Sequence, residues 1–142
     1  MALRTLAALS NHGRLRAVDI AELVDSTPAY IAHVMVDLSA PGWIDSAPRR
    51  TGGHRLAVDL STITMLELIE AIEGPTDDGR CVMADGPCPA AETCALHDAW
   101  IPARDALVAR LSATTLDAVT HHQVIRHQVI HHQDTHHQEV TS

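Results

Sequence analysis

Three cysteines, the only ones in the chain, lie with a histidine in one polar segment, residues 81–97. Cys81, Cys88, Cys94 and His97 are separated by six, five and two residues, among prolines and a glycine that oppose a buried helix. An odd number of cysteines in one segment is not the pattern of a disulfide-rich secreted scaffold. Three thiols and an imidazole suit zinc or an iron–sulfur cluster, so the segment predicts a metal centre.

Charge is distributed unevenly along the 142 residues, whose formal net charge is −8. Residues 1–58 carry six arginines and five acidic residues, a sum of +1. The remainder carries four arginines and thirteen acidic residues, a sum of −9. Because basic charge that meets phosphates need only be local, a nucleic-acid face on the first half is compatible with the acidic total.

Membrane segments and secretion signals are not indicated by the sequence. No apolar run approaches the length of a membrane span, and residues 1–10 are too short and too soon followed by polar residues to be a signal peptide. We therefore expect no membrane partner and a cytoplasmic location, in which thiols stay reduced and available to a metal.

Three short helices are predicted in the first half, because apolar residues repeat there at helical spacing. They are Ala2–Ser10, Val18–Leu23 and a third helix that starts at Pro28 and stops before Pro41-Gly42. Capping residues including Thr27 precede Pro28, which suits the first turn of a helix. The second and third helices thus form a helix-turn-helix.

A hairpin follows, with predicted strands at 43–46 and 55–58 around a turn rich in glycine and arginine. A helix-turn-helix with such a wing can place its second helix in a major groove and its wing near phosphates. The expected DNA contacts are polar or basic side chains of that helix and of the wing. They are Thr27, Tyr30, His33, Arg49, Arg50 and His54.

Several motifs agree with one known family. They are Ala2-Leu3-Arg4-x-Leu6, Ser26-x-Pro28-x-Tyr30-Ile31, Gly52-Gly53-His54-Arg55-Leu56-Ala57, and Glu73-Gly74-Pro75 followed by three spaced cysteines and a long helix. From residue 2 to about residue 118 the chain resembles the IscR/NsrR family of winged-helix iron–sulfur regulators. The resemblance implies a homodimer that binds double-stranded promoter DNA and senses iron–sulfur status, nitric oxide or redox stress.

By this resemblance Cys81, Cys88 and Cys94 match the cluster thiolates, and His97 matches the histidine ligand of the iron–sulfur-biogenesis regulator. The wide gaps between them also suit a cluster better than a single zinc ion. Family members begin several residues earlier with an acidic side chain, whereas this sequence opens at Met1-Ala-Leu-Arg4. The absence of that aspartate favours [2Fe-2S] with His97, although [4Fe-4S] stays possible.

A long helix is predicted from Ala99 to Leu111, with Pro102 in its first turn and an apolar side that a second copy can cover.

After Thr120 a five-residue, histidine-rich repeat fits neither helix nor strand and predicts disorder. The predicted division is a mainly α protein in four parts. They are a winged DNA-binding domain at 1–75, a cluster loop at 76–97, a dimerisation helix at 98–118 and a disordered tail at 119–142.

We expect the protein to be a DNA-binding transcriptional regulator that senses through its cluster. We do not expect an enzyme, since the sequence shows no recognisable catalytic triad, phosphate loop or paired-carboxylate pocket. Two alternatives stay open. One is a zinc-stabilised interaction module that has lost DNA binding, and the other is a metal-handling protein that works through the histidine tail.

Overall fold

The computed structural model describes residues 1–47, 52–77, 79–80, 86 and 96–121. Its elements follow the chain in a simple order. They are α1 (Ala2–His12), α2 (Ala17–Leu23), α3 (Pro28–Ser39), β1 (Ile44–Ala47), β2 (Gly53–Leu56), a 3₁₀ turn (Leu60–Thr62), α4 (Met65–Glu73) and α5 (His97–Ser112). Residues 116–121 are also helical. The predicted mainly α fold with a small β wing is confirmed.

The core lies among α1, α2, α3 and the start of the wing, and it extends to Leu68 of α4 and to Leu116 after α5. Leu6, Leu9, Ile20, Ile31 and Leu38 have almost no exposed surface. Each of these residues occupies the inner face of its helix, so the periodicity in the sequence predicts the packing. The result is a helix-turn-helix held on a common apolar centre.

Side-chain caps mark the starts of α3 and α4. The Thr27 hydroxyl accepts a hydrogen bond from the Tyr30 N–H at 3.3 Å, and Pro28 occupies the first turn of α3. At α4, Thr64 and Glu67 form a capping box in which each side chain accepts from the other residue's N–H. These caps satisfy donors that a helix start leaves without a partner.

The wing strands pair antiparallel, with Ile44 opposite Leu56 and Ala47 opposite Gly53. The second strand was predicted at 55–58 but runs from Gly53 to Leu56, two residues earlier. These bounds follow the register with β1, in which Gly53 and His54 pair with Ala47 and Ser46. On the edge that faces away from β1, His54 exchanges two backbone hydrogen bonds with Leu15, at 2.7 and 2.9 Å. The segment between α1 and α2 thus joins the wing sheet.

The chain returns to the winged unit after α5. The Met65 N–H donates to the Thr114 carbonyl at 2.8 Å, and the Leu116 N–H donates to the Ile63 carbonyl at 2.9 Å. Helix α5, predicted to end at Leu111, ends one residue later at Ser112. Residues 119–121, predicted to begin a disordered tail, are helical, and Thr120 is buried. Residues 122–142, which hold the rest of the predicted tail, lie outside the described residues.

Helix α5 starts at His97, two residues before the predicted start at Ala99, which moves Pro102 from the first turn into the helix. There the proline removes one backbone hydrogen bond. The division of the chain into four parts stays a prediction. Within the ranges that the structure describes, no helix is long and apolar enough to cross a membrane.

Leu116 should be a core residue that holds α5 to the winged unit, since its side chain is 0% exposed. We expect Leu116→Ala to lower the free energy of unfolding by about 2–5 kcal/mol, because the change leaves a cavity. Leu23→Ala is the matched control, since Leu23 is 49% exposed; its cost should stay below about 1 kcal/mol. Urea unfolding measures both, and equal small effects would contradict the packing of residues 114–121.

Candidate DNA interface and cysteine segment

Helix α3 has a buried face and an exposed one. Ile31, Val34, Met35 and Leu38 recur at helical spacing and are buried against the core. The opposite side carries no neighbouring element of the described chain, and its residues are exposed. A cap, a fixed start and a packed inner face therefore hold this helix rigidly with its outer face toward solvent.

The three predicted contacts on α3 differ in their surroundings. Thr27 caps the helix, and its hydroxyl oxygen already accepts the Tyr30 N–H. Tyr30 and His33 are exposed, and both also border a groove between α3 and α4 with a volume of ≈ 280 Å³. Asp37 and Glu73 add two carboxylates to the border of this groove. Tyr30 and His33 are thus available to a ligand, whereas Thr27 also has a structural role.

An ion network holds the base of the wing. Arg14 donates from Nη1 to the Gly53 carbonyl at 2.8 Å and from Nη2 to Asp45 Oδ2 at 3.4 Å. Arg55 donates from Nε to the same Asp45 oxygen at 2.7 Å. The Arg55 guanidinium, with Arg14 adding to its effect, holds the pKa of Asp45 below its usual range. Sequence reasoning missed Arg14 and Asp45, because their partners are distant along the chain.

Gly53 lies where the segment before α2 crosses the wing. Its φ is +147°, and a Cβ atom there would lie 2.7 Å from the Leu15 carbonyl oxygen. Such a contact with backbone cannot be relieved by turning a side chain, so this position requires glycine. The glycine therefore allows the backbone pairing between Leu15 and His54.

His54, predicted to contact DNA, lies at the stem of the wing. Its Nδ1 atom is 2.8 Å from the Ser46 hydroxyl, on the strand opposite. Burial lowers the pKa of His54, and the positive charge of Arg14 adds to this effect. The neutral imidazole is therefore the form that fits the folded wing.

Local ion pairs reduce the basic charge that the described face offers to phosphates. Arg16 pairs with Asp19 at 2.7 Å, while Arg14 and Arg55 share Asp45. Arg49 and Arg50, the predicted phosphate contacts of the wing, lie outside the described residues, so their role stays a prediction.

The predicted metal ligands are only partly described. Cys81, Cys88 and Cys94 lie outside the described residues, whereas His97 is the first residue of α5 and half-buried. In the part of the chain with described positions, no group of three or more candidate ligands could hold a metal ion. The assignment of the four ligands therefore rests on the sequence.

The two flanks of the cysteine segment are tied to each other. Arg104 of α5 donates from Nη1 to Asp77 Oδ1, which lies just before the segment, at 2.9 Å. On the same flank the Thr76 N–H donates to Glu70 Oε1 of α4 at 3.0 Å. One ion pair thus joins the residue just before the cysteine segment to the helix that follows it. Sequence reasoning did not identify this pair.

Comparison with known proteins assigns the chain to a family. The Rrf2 family, described as "Iron-dependent Transcriptional regulator", matches residues 1–122. The chain belongs to the Rrf2 family.

Rrf2 relatives agree with this assignment. The HTH-type transcriptional regulators IscR of Escherichia coli and Photorhabdus laumondii are 29% and 28% identical to the chain, over 115 and 116 residues. These matches cover 81% and 82% of the chain and 70% of each relative. The chain is therefore a DNA-binding transcriptional regulator, and the expectation that it is not an enzyme is confirmed.

Solved structures share the Rrf2 fold. CymR of Staphylococcus aureus is 25% identical with a TM-score of 0.64, and the match covers 84% of this chain and 91% of that one. CymR (YrzC), the global cysteine regulator of B. subtilis, is 22% identical with a TM-score of 0.67, over 85% and 88% of the two chains. T. potens IscR is 18% identical with a TM-score of 0.64, over 83% and 79%.

Substitution of Gly53 should test the wing stem of this Rrf2 regulator. We expect Gly53→Ala to cost about 1–3 kcal/mol more than Gly13→Ala, because strain at positive φ is common to both but only Gly53 meets a carbonyl. Gly13 is the matched control, since its φ is +74° and no atom lies within 4 Å of an added Cβ. Urea unfolding compares the two, and equal losses would contradict the close approach to Leu15.

The pH dependence of stability should report on His54. Because folding lowers the pKa of His54, the unfolded chain binds a proton at this residue more tightly than the folded chain does. The folded state is therefore destabilised as the pH falls below the pKa of the histidine in the unfolded chain. We therefore expect the free energy of unfolding to fall between about pH 7.5 and about pH 5.5, and less so in His54→Gln. His12→Gln, at an exposed position, should keep the wild-type dependence. An unchanged dependence in His54→Gln would contradict the role of the buried ring.

Proposed function

We propose that this Rrf2 regulator is a homodimer that controls transcription by binding promoter DNA with α3 and the wing. An iron–sulfur cluster held by Cys81, Cys88, Cys94 and His97 sets its affinity for the operator. The cluster type that the ligand set favours is [2Fe-2S]. When bound, such a cluster supplies redox chemistry that oxidants or nitric oxide can alter.

The ion pair between Asp77 and Arg104 is the observation that supports a ligand loop most directly. It joins the residue that enters the cysteine segment to the helix that leaves it, at 2.9 Å. A loop whose flanks are already together needs less ordering when its ligands converge on one centre. His97, at the start of α5, is the proposed ligand that lies within the described residues.

The donor set agrees with a cluster. Three thiolates and one imidazole are ligands of iron–sulfur centres, and the family is described as iron-dependent. The IscR relatives carry the name of HTH-type transcriptional regulators. These findings support the assignment, while zinc, which also binds such donors, remains the competing occupant for the experiment to separate.

Packing supplies a route from the cysteine segment to the DNA-binding helix. Helix α5 packs on α4, and α4 packs on α3. The start of α4 at Thr64 is bridged to Thr115, after the end of α5. A change in the loop before α5 can therefore alter the position of α5 relative to the winged unit. Coupling requires that the cluster prefer one of two such positions, and the effect must then be reciprocal.

Helix α5 also supports the proposed homodimer. It has no buried residue, and Trp100 and Leu107 are 43% and 54% exposed. Apolar side chains on one long helix are covered most simply by the same helix of a second copy. Two copies would present two α3 helices to a palindromic operator.

Anaerobic purification with iron, sulfide and zinc analysis tests the proposed centre. Wild type should be brown and contain iron and sulfide, and Cys81→Ala, Cys88→Ala and Cys94→Ala should each lose them, because the remaining ligands cannot hold the cluster. His97→Ala should retain less cluster and shift its reduction potential. His12→Ala is the matched control and should keep the wild-type spectrum.

Operator affinity of the holo and apo forms, measured at one salt concentration, tests the regulatory role. We expect the two affinities to differ by at least about fivefold, the lower end of ordinary allosteric coupling. Sedimentation should show a dimer in both forms, because α5 and not the loop joins the subunits. A colourless protein with one zinc would overturn the cluster, and equal affinities would leave the centre without a regulatory role.

A further inference from the structure

The outer face of α3 is apolar. Ala29, Ala32, His33 and Val36 follow the spacing i, i+3, i+4 and i+7, and all four are exposed. This set lies opposite the buried residues of the same helix, which follow the same spacing two positions later. Val36, at 68%, is more exposed than the other large apolar side chains with described positions. Only His33 among the four can form a hydrogen bond through its side chain.

Polar side chains of α3 lie to one side of this face. Tyr30 and Asp37 border the groove shared with α4, and Thr27 caps the helix start. The nearby arginines 14, 16 and 55 are each paired with an aspartate. On the part of α3 that points directly away from the core, the His33 ring is therefore the one side-chain group that can form a hydrogen bond with a base.

Apolar side chains have one specific target in the major groove. Each base pair presents a pattern of donors and acceptors there, and thymine alone among the four bases adds a C5-methyl group. Alanine methyls and a valine side chain can pack against such methyls and exclude water between them. Small side chains also let the helix approach the base edges closely.

We propose that Ala29, Ala32 and Val36 make α3 select thymine methyl groups in the major groove of the operator. The inference rests on the placement of α3 in the major groove, which is part of the proposed function. Ala29 and Ala32 allow α3 to approach the base edges closely, and Val36 makes the largest contact with a thymine methyl group. His33 contributes the hydrogen bond that fixes the register of the helix along the bases.

Deoxyuridine substitution measures this selection, because it removes the C5-methyl and keeps every hydrogen-bonding group of thymine. Operators are first selected from random duplexes with the full-length, anaerobically purified chain. Each thymine of a selected half-site is then replaced in turn, and affinities are measured at one salt concentration. We expect a loss of roughly fourfold for each contacted methyl, the factor that corresponds to about 0.8 kcal/mol per buried methylene-sized group.

Val36→Ala identifies the side chain responsible. In this variant at least one thymine of the half-site should lose its preference over deoxyuridine, while other positions keep theirs. Val18→Ala is the matched control: Val18 is 41% exposed but lies on α2, a helix expected to cross the backbone and not to contact base edges. It should leave every thymine-to-deoxyuridine ratio unchanged. Thermal unfolding of both variants confirms that the fold is intact.

Two results separate this inference from the function on which it rests. Tight binding of a selected operator with equal affinity for thymine and deoxyuridine would overturn methyl selection and leave the DNA-binding role in place. Identical ratios for wild type and Val36→Ala at every position would also overturn methyl selection by this side chain. Failure to enrich any duplex with both the cluster-loaded and the cluster-free forms would instead overturn the placement of α3 in the major groove, and methyl selection with it.

Discussion

Two backbone hydrogen bonds hold the second half of the molecule to the first. They join Met65 to Thr114 and Ile63 to Leu116, and the Leu116 side chain is fully buried in the core. Helix α5 buries no residue of its own, so its position depends on this connection and on its contact with α4. Among the described residues, α4 and this junction therefore connect α5 to the winged unit.

Local patterns predicted the local elements well. The inner faces of α1, α2 and α3 follow apolar periodicity, and Thr27 with Pro28 marks the start of α3. Interactions between distant residues were missed, because no local pattern encodes them. The pairing of His54 with Leu15 and the return of the chain at Leu116 are two such interactions, and residues 119–121, predicted to be disordered, are helical.

The candidate sites divide in the same way. Residue type and spacing predict that the three cysteines are metal ligands and that Tyr30 and His33 contact DNA; the structure shows that Tyr30 and His33 are exposed, and all of these roles stay predictions. Sequence did not indicate that Arg104 would contact Asp77, since many arginines and aspartates have compatible charges. It also did not separate the half-buried His54 from the freely exposed His33, because burial in a wing depends on how the strands meet the segment before α2.

The two backbone hydrogen bonds between Leu15 and His54 attach the segment between the first two helices to the outer edge of the wing. With Arg14 bonded to Gly53 and Asp45, the stem of this hairpin cannot swing independently of α2. The wing stem and the segment before α2 are thus joined in one unit. In the proposed homodimer, a signal that changes DNA affinity would act by moving two such units relative to each other, and so by changing the separation of half-sites that they fit.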